Sequence, residues 1–384
     1  LFIIGDDIVI KRGLKGVAFS FLAFSCISGV SALDKVDLEN GYAEKDNRVT
    51  ILNEKGLKYF ADEVNAGNTY EGKYVTLSKD LDLKDYDWIP IGYDSRSNKD
   101  AVVFKGTFDG YNHTIKNLKV SGDDNDYCYG LFGIVNESKL LNLKIDSASV
   151  KSGVGTSGTL VGCLLGNDNT VENIEVGSDV EVYGETAGGV VGRAYSKNNY
   201  LLNNKSGATV SGITKAGGIT GITNNMSIIY NSENTGTIKD ANKGNGGIIG
   251  LANANTFIYK VSNSGEVVSP VYSGGIAGYS TGANGYIVNA TNTGKISISA
   301  KSGGASGGIV GSNPGSFSIQ NSTNNGDIYG VAGGTSSCGG IVGGMLSAGN
   351  VINSKNTATV SGCENAGGVV GSLGAKGFIK NRQV

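Results

Sequence analysis

A short glycine-rich segment recurs about every thirty residues and constrains the fold more than any other feature of this chain. The segment reads Gly-Gly-h-h-Gly, where h is apolar, with variants at Gly130–Gly133 and Gly158–Gly162. Such a period predicts stacked structural units, because one unit alone cannot bury its own apolar residues. The last glycine of each copy, here called the anchor glycine, is Gly133, Gly162, Gly192, Gly221, Gly250, Gly278, Gly311, Gly343 or Gly371.

A column of asparagine residues runs in phase with the glycines. Its copies have the form Asn-x-x-Asn followed by Gly-x-Ile or a close variant, and Lys260 replaces the first asparagine once. Asparagine tolerates left-handed backbone at tight corners, and stacked asparagine side chains can form hydrogen-bonded ladders. The first asparagines are Asn231, Asn289, Asn321 and Asn353.

Each repeat contains three β-prone pieces and no helical period. The pieces are the Gly-Gly-h-h-Gly segment, an apolar stretch that ends at the first asparagine, and a short x-[Ile/Val]-x strand. We therefore expect an all-β fold: a three-sided, right-handed parallel β-helix, or β-solenoid, of about nine coils. A β-propeller is the alternative, but its blades need about forty residues or more.

The region before the repeats predicts a different architecture. Residues 48–120 lack the repeat and are interpreted as an α+β cap, and 33–47 as a linker. Asn53 is placed to cap a helix whose apolar face ends before Gly67. The solenoid repeats are assigned to 121–384.

The first 32 residues resemble an export signal with an upstream extension. Lys11, Arg12 and Lys15 precede an apolar run at 16–30, and cleavage is expected near Ala32. This predicts a secreted or cell-surface protein whose mature chain has no transmembrane helix. Because the chain starts at Leu1 and stops at Val384 within the repeat pattern, we expect it to be truncated.

Four cysteines remain after the predicted signal. Cys338 and Cys363 are 25 residues apart, just under one repeat, so they could form a disulfide between adjacent coils. The alternative is that these two, with Cys128 and Cys163, are small buried thiols.

Charge and histidine content exclude several functions. Lys and Arg number 32 against 34 Asp and Glu, so no basic excess exists to bind nucleic acid. The single histidine, His113, excludes a two-histidine metal motif. We predict no metal, no cofactor and no catalytic residue.

Three further motifs are candidate sites. Gly153–Gly158 satisfies G-x-G-x-x-G but is followed by a repeat strand rather than a helix. Residues 123–126 could gather calcium ligands, but they read better as a turn. Carboxylates could form a polysaccharide hydrolase or lyase site, with surface charge as the alternative. The candidate carboxylates for such an enzyme site are Asp109, which lies near His113 in the sequence, and Glu172, Glu175 and Glu181.

Tyrosine is frequent in the repeats and supplies the predicted binding residues. Exposed tyrosine can stack on sugars or anchor an interface, although it can equally fill the corners of coils. The candidates are Tyr183, Tyr230, Tyr272, Tyr279 and Tyr286.

An ordered series of motifs carries a family resemblance over residues 48–384. The series is similar to one found in exported proteins with the Gly-Leu-any-Gly (GLUG) repeat. Its segments are Trp88–Gly92, Phe104–Gly110, His113–Ile115, Asn117–Leu118 and Gly130–Gly133. The resemblance implies a bacterial secreted or surface protein with β-helical repeats, often adhesin-like. The repeat is also similar to segments that accompany the catalytic domain of IgA-cleaving metallopeptidases. It assigns no catalytic residue here.

These observations predict a monomeric, adhesin-like scaffold that binds host or environmental glycans, mucin or matrix proteins through repeated weak contacts. One alternative is a polysaccharide-degrading β-helix enzyme. The other is a non-catalytic spacer of a larger surface protein, such as an IgA-peptidase-like protein.

Overall fold

The computed structural model describes residues 2–4, 7–9, 35–37, 39–93, 101–122, 128–195, 197–301 and 303–380. Residues 1–34 form one compact unit and 35–384 another. In the first unit, Phe2–Ile4 pairs antiparallel with Asp7–Val9. The predicted signal run and its cleavage site lie outside the described residues, so they stay a prediction.

The second unit is a β-solenoid of about eleven turns, which confirms the predicted fold class. Its coils stack through five parallel ladders of hydrogen-bonded strands, numbered 1 to 5 in the order in which each coil visits them. Ladder 1 contains Arg48–Ile51, Tyr74–Leu77, Thr107–Asp109, the start of Lys139–Ser152, the start of Thr170–Gly188, Asn199–Leu202, Ser227–Tyr230, Thr256–Tyr259, Tyr286–Val288, Ser318–Gln320, Asn350–Ile352 and Phe378–Lys380.

Ladders 2 and 3 follow across the first corner of each coil. In both, the long strands Lys139–Ser152 and Thr170–Gly188 supply the early rungs. Ladder 2 also contains Leu81–Asp82, Thr114–Lys116, Lys205–Ser206, Glu233–Asn234, Ser262–Asn263, Thr291–Asn292, Thr323–Asn324 and Lys355–Asn356. Ladder 3 also contains Leu118–Gly122, the start of Thr209–Gly217, Ile238–Lys239, Val267–Ser269, Ile296–Ile298, Ile328–Tyr329 and Val360–Ser361.

Ladders 4 and 5 complete each coil. Ladder 4 contains Cys128–Tyr129, Thr156–Gly158, the ends of Thr170–Gly188 and Thr209–Gly217, Asn245–Gly246, Tyr272–Gly274, Ala305–Gly307, Ser337–Gly339 and Asn365–Gly367. Ladder 5 contains Phe132–Asn136, Val161–Leu165, Val191–Ala194, Thr220–Thr223, Ile249–Ala252, Ala277–Ser280, Val310–Asn313, Val342–Met345 and Val370–Leu373.

The nine strands of ladder 5 each carry one anchor glycine, so the nine predicted coils are all present. The extra turns come from residues 48–120, whose strands join ladders 1 to 3 instead of forming a separate cap. The predicted linker 33–47 likewise contains strands. Lys35–Asp37 and Tyr42–Lys45 pair antiparallel and continue onto Arg48–Ile51, which covers the edge of the first coil.

The predicted helix is confirmed at Glu54–Asn65. The side chain of Asn53 accepts a hydrogen bond from the backbone N–H of Gly56 at 3.0 Å. Gly67 follows the helix with φ +104°. The buried side chains include Leu57, Phe60, Ala61 and Val64.

The Gly-Gly-h-h-Gly segment differs from the single strand that its sequence suggested. In the copy at Gly246–Gly250, ladder 4 ends at Gly246, a bend follows, and ladder 5 begins at Ile249. The glycines in this copy do not have positive φ. They are needed for close backbone approach: a β-carbon on Gly246 would lie 2.0 Å from the carbonyl oxygen of Ile249.

The core is a column of inward residues that runs along the rod. In ladder 1 one inward position is buried on every rung from Leu140 to Val351, and apolar residues occupy it throughout. These residues are Leu140, Val171, Leu201, Ile229, Ile258, Ile287, Ile319 and Val351.

The corner between ladders 1 and 2 uses the left-handed backbone that the asparagine column predicted. Lys260, which replaces asparagine in one copy, adopts the same conformation with φ 53°. Every coil from Asn142 to Asn353 therefore uses this backbone at the corner, and asparagine adopts it more readily than other non-glycine residues. The asparagines at this corner have φ between 49° and 57°: Asn142, Asn173, Asn203, Asn231, Asn289, Asn321 and Asn353.

Candidate functional site

The five candidate tyrosines lie on several ladders and do not form one site. Tyr230 and Tyr286 lie on ladder 1, Tyr272 on ladder 4, Tyr279 on ladder 5, and Tyr183 on ladder 3. Tyr183 and Tyr286 are the exposed members, at 39% and 41%. The other three are half-buried.

Four of these rings pack against another aromatic ring. Tyr230 stacks on Tyr259 at 5.7 Å between ring centroids, and Tyr286 on Phe257 at 5.8 Å. The ring centroids of Tyr272 and Tyr279 are 4.9 Å apart. Burial raises the pKa of Tyr279, and the neighbouring Tyr272 adds a smaller effect in the same direction. Because sugar stacking needs an open ring face, these contacts leave less of each ring for a ligand.

The three glutamates have partners on neighbouring rungs. Lys144 Nζ lies 3.1 Å from Glu175, and Lys151 Nζ lies 2.9 Å from Glu181. Asn203 Nδ2 donates to Glu172 at 3.4 Å. The hydrogen bond from Lys151 lowers the pKa of Glu181, which keeps this carboxylate ionised and poorly suited to donate a proton as a general acid.

Asp109 is the buried last residue of the strand Thr107–Asp109, and its partners are already in place. It accepts hydrogen bonds from the hydroxyl of Tyr74 at 2.5 Å, the amide of Asn142 at 3.0 Å and the backbone N–H of Tyr111 at 2.9 Å. Burial, then the bond to Asp109, raises the pKa of Tyr74. The carboxylate therefore organises a corner of the first coils.

His113 pairs with Asp80 rather than with the proposed Asp109. Its Nδ1 lies 3.2 Å from an Asp80 oxygen that also accepts from the backbone N–H of Thr114 at 2.9 Å. The bond from Thr114, followed by the one to His113, lowers the pKa of Asp80. Asp109 and His113 therefore hydrogen-bond to different partners, Tyr74 and Asp80.

The remaining motifs lie within the repeat or outside the described region. Residues 153–158 run into the ladder 4 strand Thr156–Gly158, and a ladder 5 strand follows rather than a helix. The acidic turn at 123–126 lies wholly outside the described residues. Across the part of the chain that the structure describes, no three or more His, Cys, Asp and Glu residues cluster as a metal site would require.

All four cysteines are joined in disulfides, so the buried-thiol interpretation is wrong. Cys338 bonds to Cys363 and Cys128 to Cys163, with Cα–Cα separations of 5.9 and 5.6 Å. The second pair was missed. Its 35-residue separation exceeds one repeat because it joins ladder 4 of one coil to ladder 5 of the next.

An open cleft of about 570 Å³ lies beside the helix, where sequence reasoning placed no site. Ile89, Pro90 and Tyr93 line it, and Ile89 is 55% exposed. Its polar neighbours are satisfied: Trp88 Nε1 donates to the carbonyl of Leu131 at 3.0 Å, and Asn65 accepts from the N–H of Gly92 at 2.8 Å. The Trp88–Gly92 motif was the sequence signal for this region.

Within the described residues, no helix is both long and apolar enough to cross a membrane.

Comparison with known proteins adds two distant structures. No family model and no curated protein matches this chain, whereas four solved chains do. A Bacteroides ovatus protein with the provisional name immunoglobulin A1 protease is 22% identical, with coverage of 88% of this chain and 84% of that one and a TM-score of 0.39. An IgA1 protease is 17% identical over 83% of this chain, with a TM-score of 0.44; the chain spans 20% of that protein. At these values the likeness assigns no function.

Proposed function

We propose that this chain is a rigid, non-catalytic β-solenoid rod that holds other parts of an exported protein at a fixed spacing. The observation that carries the proposal is the continuous parallel ladder from Arg48 to Lys380, in which each coil is hydrogen-bonded to the next. Such a ladder resists bending, because any bend must lengthen bonds in several strands at once.

Export is supported by the disulfides. Bonds of this kind persist in oxidising surroundings and are rare in the cytosol, so the Cys128–Cys163 and Cys338–Cys363 pairs favour a secreted or surface protein. The proposal that the protein is exported also includes the predicted signal at 1–32 and the resemblance to exported GLUG-repeat proteins.

The test of the rod function joins a folded reporter domain to each end of the unit 35–384 and measures the distance between the two reporters. The proposal predicts one narrow distribution, and a broad distribution contradicts it. Incubation of the same protein with polysaccharides and with immunoglobulin A should leave both at full length. Shortened products would instead support an enzyme.

A second candidate, multivalent adhesion to glycans, mucin or matrix proteins, is favoured by one surface. Exposed Tyr183 lines a shallow cleft of about 290 Å³ with Lys151, Ser211 and Lys239 on neighbouring rungs. Retention on a panel of these ligands that falls when Tyr183→Ala and Tyr286→Ala are combined would support adhesion. Retention unchanged by both substitutions would contradict the tyrosine-based form of it.

A further inference from the structure

Two cationic side chains, Arg193 on ladder 5 and Lys215 on ladder 4, lie on adjacent coils where these ladders adjoin. Arg193 Nη2 donates to the hydroxyl of buried Thr186 at 3.2 Å, and Thr186 is the direct parallel neighbour of Lys215 in the next coil. Arg193 also hydrogen-bonds the hydroxyl of Tyr195, and its guanidinium carbon lies 4.8 Å from the centre of that ring. The hydroxyl of Thr186 therefore links Arg193 to the rung that carries Lys215.

The pair lacks a counter-charge in direct contact. Among the described residues, no carboxylate forms an ion pair with Arg193 or Lys215. Within the described part of the chain, Arg193 Nε is buried without a hydrogen-bond partner, and Lys215 Nζ hydrogen-bonds to the hydroxyl of Thr214, at 3.4 Å, and to no other group. A partly buried cation in this state is costly unless something compensates it.

The charged groups around Lys215 also leave its ammonium without compensation. Burial is the largest cause that lowers the pKa of Lys215, and the positive charge of Arg193 is the second. The positive charge of Lys243 lowers this pKa as well. Glu185 opposes the shift but is exposed, and it makes no ion pair with Lys215. The local balance of these four charged groups is positive.

The repeat itself does not need the two cations. The positions aligned with Arg193 and Lys215 on other coils carry no Lys or Arg, yet those coils stack in the same way. The row of Arg193 contains Cys163, Ile222, Leu251, Tyr279, Ser312, Gly344 and Ser372. The row of Lys215 contains Thr156, Thr186, Gly244, Tyr272, Ala305, Ser337 and Asn365.

We propose that Arg193 and Lys215 form a binding site for one oxyanion, a sulfate or carboxylate group carried by a ligand. A guanidinium offers paired donors to two oxygens of such a group, and the ammonium adds a third donor. The site is local and goes beyond the rod function, so either proposal can fail without the other.

The test follows the acetylation of individual lysines in the full chain at pH 8 by mass spectrometry. Chloride is replaced by inorganic sulfate in one series and by acetate in another, at constant ionic strength. Lys215 should be protected saturably, with its rate reduced roughly tenfold, as expected for charge-assisted hydrogen bonds. Lys295, which is ion-paired with Glu266 at 3.1 Å, is the internal control and should change little.

Arg193→Gln should remove most of the protection, and Arg193→Lys should keep only part of it. If the acetylation rate of Lys215 changes no more than that of Lys295 in either sulfate or acetate, the proposal is overturned. Full protection in folded Arg193→Gln overturns it as well. If Arg193→Gln fails to fold, the wild-type comparison of Lys215 with Lys295 still decides. Protection by only one anion names the group that the site accepts.

Discussion

At the scale of single residues, the buried asparagine of the coils from Asn234 onwards connects the two sequence columns. Asn292 donates to the carbonyl of Gly294 at 2.9 Å and to Asn324 at 2.8 Å, while its oxygen accepts from the N–H of Gly294 and from Asn263. It also packs on Gly275, the second glycine of its Gly-Gly-h-h-Gly segment. The same contact recurs at Gly218 with Asn234, Gly247 with Asn263, Gly308 with Asn324 and Gly340 with Asn356.

The sequence carries a trace of this coupling. Where the inward residue is apolar, as at Ile145 and Val176, the second glycine is replaced by Leu131 and Thr159. Periodicity alone places both columns in phase. It does not say that they touch, because contact depends on where the bends lie, and the bend inside Gly-Gly-h-h-Gly was predicted as strand.

Replacing Asn292 with Leu should lower the free energy of unfolding by about 2–4 kcal/mol, because it leaves several buried backbone and amide groups without partners. Chemical denaturation measures the loss. Asn289→Gly, at a corner with φ 55°, is the control and should have little effect because glycine accepts this backbone. Equal losses in the two variants would contradict a structural role for the buried ladder.

Replacing Gly275 with Ala should destabilise the chain by about 1–3 kcal/mol through overpacking. The new β-carbon would lie 2.1 Å from the carbonyl oxygen of Gly308 and 2.4 Å from the amide carbon of Asn292. Gly344→Ala is the matched control, since its β-carbon would come no closer than 3.5 Å to Ala305. The pair of melting curves should separate clearly, and superimposed curves would refute the close-approach explanation.

Replacing Lys215 with Met should raise the melting temperature in chloride at pH 7. The folded state lowers the pKa of Lys215 below its ordinary value of 10.5, so its charge opposes folding below the folded pKa. This penalty disappears as the pH rises through the folded pKa towards 10.5, and the difference between Lys215→Met and wild type should shrink accordingly. Lys295→Met serves as the control. A stabilisation that does not change with pH would rule out the electrostatic cause.

At the scale of elements, local signals predicted the helix better than the short strands. The cap at Asn53 and the apolar face that follows it define Glu54–Asn65 within one continuous segment. The two-residue strands of ladders 2 and 4 have no pattern of their own, because their conformation depends on the coils above and below. The same dependence explains why Cys128 and Cys163 were not paired from their spacing.

The disulfide between Cys338 and Cys363 should stabilise the coils that it joins. Replacing both cysteines with Ala should cost about 3 kcal/mol, because the bond closes a loop of 25 residues in the unfolded chain. Reducing agent should lower the melting temperature of the wild type by more than that of the double variant. A reducing agent that affects both proteins equally would show that this bond does not contribute.

At the scale of the whole molecule, the repeat period predicted a solenoid, and the registers fix its dimensions. The turns missed at the start belong to residues 48–120, whose sequence lacks the repeat although its strands pair in the same ladders. Apolar residues such as Val75 and Phe108 continue the inward column there without the glycine signature. The candidate site was less predictable, because the partners of a side chain come from neighbouring coils.

The distance between two positions on one ladder tests the central claim most directly. Lys144 and Lys355 lie in the same row of ladder 2, seven coil-to-coil steps apart. Spin labels attached at these two positions through non-canonical residues, which avoid the disulfides, should give a narrow distribution near about 34 Å at roughly 4.8 Å per step. A broad distribution, or a mean far from this distance, would contradict a rigid stack of coils.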